Sequence, residues 1–154
     1  MKITLLTVGK LGRAPEAALA KDYAERATAS GRALGLGPVD IVEVEAKKPG
    51  RAAEAAVLIP HLSDSHVIAC DEHGAAMASR AFSGHIARLR DDGVRRLVLI
   101  IGGADGLDRG VLEAAQSRLA FGVQTWPHAL VRAMLAEQVY RAVTILGGSP
   151  YHRD

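Results

Sequence analysis

The chain has 154 residues, a formal net charge of +2 and one cysteine, Cys70. This length suits a single domain whose core needs no covalent staples, and one cysteine excludes an internal disulfide and fits a reducing, cytoplasmic compartment. No apolar run approaches the ~18 residues of a membrane helix, and the amino terminus lacks a signal-peptide pattern, so no membrane partner is expected. So small a net charge leaves little footprint for nucleic acid: DNA is not expected as a partner, and RNA would have to meet clustered basic residues or be recognised by shape.

In chain order, Ile3–Val8 predicts a first strand, and Pro15 fits the first turn of a helix with Ala17, Ala18, Ala20, Tyr23, Ala24 and Ala27 as its apolar face. Val39–Val44 predicts a shorter strand whose charges suggest a place near an edge. Lys47-Lys48-Pro49-Gly50-Arg51 is a basic turn, either a solvated loop or a contact for RNA backbone. An alanine-rich helix follows through about Leu62, weakened near its end by Pro60. His66–Cys70 predicts a third strand running into Asp71-Glu72-His73-Gly74, with Ser79 as the cap of a helix carrying Phe82, Ile86 and Leu89.

Leu97–Ile101 is a continuous aliphatic run that enters Gly102-Gly103-Ala104-Asp105-Gly106, the pattern of a strand buried on both faces. Asp108 is expected to cap a short helix with Val111, Leu112 and Ala115 inward, before a brief strand at Leu119–Phe121. Pro127 opens a long helix containing Leu130, Val131, Met134, Leu135, Val139, Ala142 and Val143, with Glu137 and Arg141 spaced for an ion pair. Strands alternating with helices predict one α/β domain over residues 1–154: a parallel sheet with helices on both faces.

Several chemistries are excluded by what is missing. There is no P-loop, no Gly-x-Gly-x-x-Gly after the first strand and no Gly-x-Ser-x-Gly elbow. The six histidines are scattered without metal-ligand spacing, so no metal is expected. What remains is a set of strand ends: Asp71–Gly74, Gly102–Gly106 and Gly122–Trp126. Side by side in a parallel sheet they would form a crevice rich in backbone N–H and C=O groups, suited to a flat heterocycle. Asp71 and Glu72 read equally as a helix-starting pair or as direct participants; Trp126 reads as core packing or as pocket wall, and Cys70 as a small buried hydrophobe. The tail holds Tyr151, His152 and Arg153, an aromatic, a proton carrier and a cation for phosphate or base.

Taken together, six segments in order resemble the RlmH family of SPOUT methyltransferases, and the resemblance covers essentially the whole chain. They are Met1–Ile3 through Val8–Lys10, Asp71-Glu72-x-Gly74 followed by Ser79, Gly102-Gly103-x-Asp105-Gly106, Pro127-His128-x-Leu130-Val131-Arg132, Glu137-Gln138-x-Tyr140-Arg141-Ala142, and Pro150–Arg153. The resemblance implies a carboxyl-terminal trefoil knot, a homodimer, and S-adenosylmethionine held in knot loops with the partner subunit completing the site. It implies N3 methylation of pseudouridine 1915 in 23S ribosomal RNA, on assembled ribosomes. By position, the cofactor contacts would be Cys70, Gly102, Phe121, Gly122, Val123, Gln124, Thr125 and Trp126. Cys70 and Trp126 depart from the family pattern, where leucine and another apolar residue are usual, and Gln124 stands where a hydrophobe is common. His152 would accept the imide proton, Arg153 would bind RNA or stabilise the anion, and Tyr151 would stack on the base. Two other readings are a non-catalytic ribosome-binding module of the same fold and a nucleotide-binding α/β protein of another kind.

Overall fold

Alternation of side chains along the strands decides the layers. The computed structural model describes residues 1–153. Five strands, β1 (Lys2–Val8), β2 (Val39–Val44), β3 (His66–Ala76), β4 (Arg96–Ile101) and β5 (Ser117–Ala120), form one sheet in the order β2-β1-β4-β3-β5. Every pairing is parallel. Ile3, Leu5, Ile68, Leu97, Leu99 and Ile101 point to one face, beneath α1 (Pro15–Gly31), α3 (Ser79–Asp91) and α5 (His128–Leu146). Leu6, Val8, Val67, Ala69, Val98 and Ile100 point to the other, beneath α2 (Arg51–Leu58) and α4 (Arg109–Ala114). A sheet apolar on both faces must be covered twice, which is why β4 reads as an unbroken aliphatic run.

The topology follows. β1→β2 and β3→β4 step one way across the sheet over one face, while β2→β3 and β4→β5 step the other way over the opposite face. All four crossovers therefore share one hand, as parallel connections do. Their result is that the carboxyl ends of β4, β3 and β5 lie next to one another.

Helix α1 buries Ala20, Ala24, Ala27 and Gly31, a stripe of small residues that lets it lie close against α5; Ala18, expected inward, is exposed. Asp108 caps α4 as expected, its carboxylate accepting the Gly110 N–H at 2.8 Å. Ala78 rather than Ser79 precedes α3, and Ser79 Oγ instead donates to Gln138 Oε1 at 2.8 Å. Helix α2 ends at Leu58 and tightens into a 3₁₀ turn, Ile59–His61, around Pro60, short of the expected Leu62. β2 is an edge strand, as its charges suggest. Phe121 lies beyond the end of β5.

The largest departure is in β3, which continues past Cys70 to Ala76. Leu119 of β5 pairs with both Cys70 and Ala75, so Asp71–Gly74 forms a four-residue excursion and the strand then resumes. Gly74 permits this: a Cβ there would lie 2.8 Å from backbone atoms of Arg118 and Leu119. Asp71 and Glu72 thus start no helix.

At the opposite end of the sheet, His66 and His85 pack edge to face with centroids 6.1 Å apart. Nε2 of each is buried and lacks a partner among the described residues. Burial lowers both imidazoles from the ordinary 6.5, His85 further through Arg88 and His66. The unfolded chain therefore binds protons that the native chain refuses, and native stability falls as pH drops below about 6.5 toward the lowered values. The urea midpoint will fall between about pH 7.5 and 5.5, and will fall less in H66N/H85N; an equal fall in both would refute this.

Candidate active site

The three adjacent strand ends enclose a cleft of about 690 Å³. Its walls come from the ends of β3 (Cys70, Asp71, Glu72, His73), β4 (Ile101 and Gly102–Leu107) and β5 (Phe121, Gly122, Gln124, Thr125, Trp126). His128 and Val131 from the start of α5 and Arg51 from α2 complete it. Seven of the eight cofactor positions implied by the resemblance line this one cleft: Cys70, Gly102, Phe121, Gly122, Gln124, Thr125 and Trp126. Val123, the eighth, is 99% exposed and does not line the cleft.

Each wall has a local cause. Asp71 Oδ1 accepts the His73 backbone N–H at 2.7 Å and lies 3.2 Å from His73 Nδ1, which folds the excursion into a turn. Gly106 N–H donates to Gly103 C=O at 3.1 Å, closing the glycine loop. Trp126 Nε1 donates to Phe121 C=O at 3.1 Å and ties the two ends of the third loop together. The indole is 38% exposed, so it is pocket wall and not core. Burial pushes the Cys70 thiol up to about 12, which leaves it protonated and unreactive near neutral pH.

The tail does not reach this cleft within one chain. Tyr151 OH donates to Glu137 Oε1 at 3.0 Å, and its ring packs edge to face on Tyr140 at 4.6 Å and under Arg141 at 4.9 Å. Burial, with Tyr23 and Glu137 adding, raises the Tyr151 hydroxyl well above its ordinary value. Arg141 grips Glu137 Oε1 through Nε at 2.9 Å and Nη2 at 2.5 Å, and its Nη1 lies 3.2 Å from His152 Nδ1. Arg153 is exposed. Glu137 is thus the hub that fastens the tail to α5. It also borders a second, apolar groove of about 480 Å³ beside the first, with Leu19, Met77, Phe82, Leu130 and Met134.

Three contributors escape a reading of spacing. Arg51 and Glu54 reach the glycine loop from α2, and Arg132 is buried beneath the β1–α1 connection. Charges interrupting an alanine-rich helix at positions three apart were the only sign of the first pair. Among the described residues, no group of His, Cys, Asp and Glu could hold a metal ion, and no helix is long and apolar enough to cross a membrane.

A doubly covered parallel sheet with glycine loops converging at its carboxyl ends is the frame of the SPOUT methyltransferase class, and the family described as "Predicted SPOUT methyltransferase" matches residues 1–152. The chain resembles "Ribosomal RNA large subunit methyltransferase H" of Caulobacter vibrioides, with 75% identity over 100% of this chain and 99% of that one. The protein of the same name from Phenylobacterium zucineum is 68% identical over 100% of both. The chain belongs to the RlmH family of SPOUT methyltransferases. In fold it is similar to a crystal structure titled as a probable methyltransferase from Bordetella pertussis, with a TM-score of 0.53, 12% identity, and coverage of 92% of this chain and 96% of that one.

Proposed function

We propose that this methyltransferase uses S-adenosylmethionine to methylate N3 of pseudouridine 1915 in 23S ribosomal RNA, acting in the cytoplasm as a homodimer on assembled ribosomes. What carries the reading is the convergence of Cys70, Gly102, Phe121, Gly122, Gln124, Thr125 and Trp126 on one cleft, in a chain similar over its full length to relatives named for ribosomal RNA methylation. The cleft's size falls within the ~300–1,000 Å³ of small-molecule sites. Its walls include Gly102, Gly103, Gly106 and Gly122, whose backbone groups can read the edge of a heterocycle, and Asp71 and Glu72 in its lining favour a cationic ligand.

S-adenosylmethionine would supply a methyl group on a sulfonium, an electrophile whose departure needs no acid. The chain must then deal with the nucleophile, an imide nitrogen that holds its proton at neutral pH. His152 takes that proton, Arg153 stabilises the anion or holds phosphate, and Tyr151 stacks on the base. Because the tail packs on α5 outside the cleft, these residues come from the second copy, whose docking would cover the groove lined by Leu19, Met77 and Leu130. A carboxyl-terminal trefoil knot that includes the loop at 121–126 belongs to the same reading.

The deciding experiment is transfer of labelled methyl from S-adenosylmethionine to ribosomes lacking the modification, with separated subunits and naked RNA in parallel. Label on whole ribosomes alone, mapped to that pseudouridine, is the expected result; cofactor binding without transfer would discard the substrate, and no cofactor binding would favour a non-catalytic module. A simpler readout uses Trp126, the only tryptophan. Its emission will change on adding S-adenosylmethionine and will not change with ATP or NAD; a response to ATP or NAD instead would point to another nucleotide-binding class.

A further inference from the structure

Helix α2 holds the glycine loop after β4 from behind. Glu54 Oε2 accepts the Gly103 N–H at 3.2 Å, and Arg51 Nε donates to Asp105 C=O at 2.5 Å. Residues three apart on a helix share a face, so one turn of α2 grips both shoulders of the loop. Between those shoulders the loop closes on itself through the Gly106 N–H and Gly103 C=O. Arg51 lines the cleft; Glu54 does not, and meets it only through the Gly103 N–H.

Two consequences follow from this contact. A trans peptide points its N–H and C=O in opposite directions. Fixing the Gly103 N–H on Glu54 therefore fixes the Gly102 C=O pointing away from α2, and Gly102 is a cleft residue. Space is also committed: a Cβ on Gly103 would lie 2.5 Å from Glu54 Oε1, so the carboxylate occupies the volume a side chain would need. Without that acceptor the half-buried N–H loses its partner and the peptide is free to turn.

We propose that Glu54, assisted by Arg51, is a positioning residue for the cofactor, acting through the Gly102–Gly103 peptide and not by touching the ligand. The inference rests on the cleft being the S-adenosylmethionine site. The test is calorimetric titration of the full-length protein with S-adenosylmethionine, alongside kcat and KM on ribosomes and a thermal melt without cofactor. If the wild type does not bind S-adenosylmethionine, the functional reading fails and this inference falls with it. If it binds, E54A is expected to bind about ten-fold or more weakly, with the loss in the cofactor KM, while kcat at saturating cofactor and the melting temperature change little. E54Q, whose amide oxygen still accepts the N–H, will stay within about three-fold of wild type.

Gly103→Ala supplies an independent arm. Its methyl group displaces Glu54 and will reproduce the loss, while the double variant E54A/G103A will bind no worse than E54A, because the two changes break one contact. Wild-type affinity in E54A, failure of glutamine to restore binding, or additive losses in the double variant would each overturn the proposal. Should E54A not fold, E54Q and G103A decide it alone: near-normal binding by the first and weak binding by the second support it, and the reverse overturns it.

Discussion

His152→Ala is expected to slow methyl transfer to ribosomes by about 10²–10⁴-fold, with cofactor affinity within about two-fold of wild type. The asymmetry follows from where the residue sits. His152 belongs to the tail on α5, and the cleft at the strand ends of the same chain, the proposed cofactor site, is lined without it. An imidazole with a free lone pair can take a proton from an imide nitrogen. The resting geometry adds a condition. A guanidinium only donates, so Arg141 Nη1 at 3.2 Å meets the lone pair of His152 Nδ1, and the ring proton lies on Nε2. Nδ1 is then the basic atom, and it becomes available when the contact with Arg141 is given up. Single-turnover rates with ribosomes, measured beside calorimetric cofactor titrations, check this. A variant that transfers methyl at the wild-type rate removes His152 from the chemistry.

Arg132→Ala will cost about 3–5 kcal/mol of folding stability, a large part of the ~5–15 kcal/mol typical of a domain. The guanidinium is 2% exposed. Nη1 donates to Gly9 C=O and to Glu43 Oε1, each at 2.9 Å, and Nη2 donates to Val8 C=O. Burial pulls its pKa down while Glu43 pulls it back, so the charge survives through its carboxylate partner. Glu43 in turn accepts the Leu11 N–H at 3.1 Å. Truncation strands two main-chain carbonyls and a carboxylate that were arranged around a cation. Arg132→Met fills the space and will recover only part of the loss, since those acceptors stay unpaired. Urea unfolding measures both; a loss below about 1 kcal/mol for alanine would show that water satisfies these groups.

What the sequence made legible depended on whether a residue's partner was close in the chain or belonged to a repeating pattern. The Leu97–Ile101 run marks β4 because both faces are buried, and Pro15 marks the start of α1. The crevice could be anticipated because three strand ends carried glycine or turn residues, and the sheet order places them together. β3 beyond Cys70 could not be read, since Asp71-Glu72-His73 looks like a loop until β5 is alongside. Ser79 looks like a cap, yet its partner, Gln138, is fifty-nine residues away. Arg132 stands between Val131 and Ala133 with nothing to announce burial, because its acceptors are mostly main-chain carbonyls. The same holds for Arg51 and Glu54, whose targets are the backbone of Asp105 and Gly103.

The contact between Arg132 and Gly9 spans 123 residues, and it sits at the end of α5 that carries His128 and Val131 into the cleft. A growing chain that has not yet emitted α5 already contains all five strands and all three turn-bearing ends, but lacks the helix that joins its last third to its first. The pocket is therefore a late product of synthesis. Closing so long a loop costs chain entropy and comes after the local helices and shorter crossovers have formed. The complete cleft is thereby tied to the docking of α5 on the first strand.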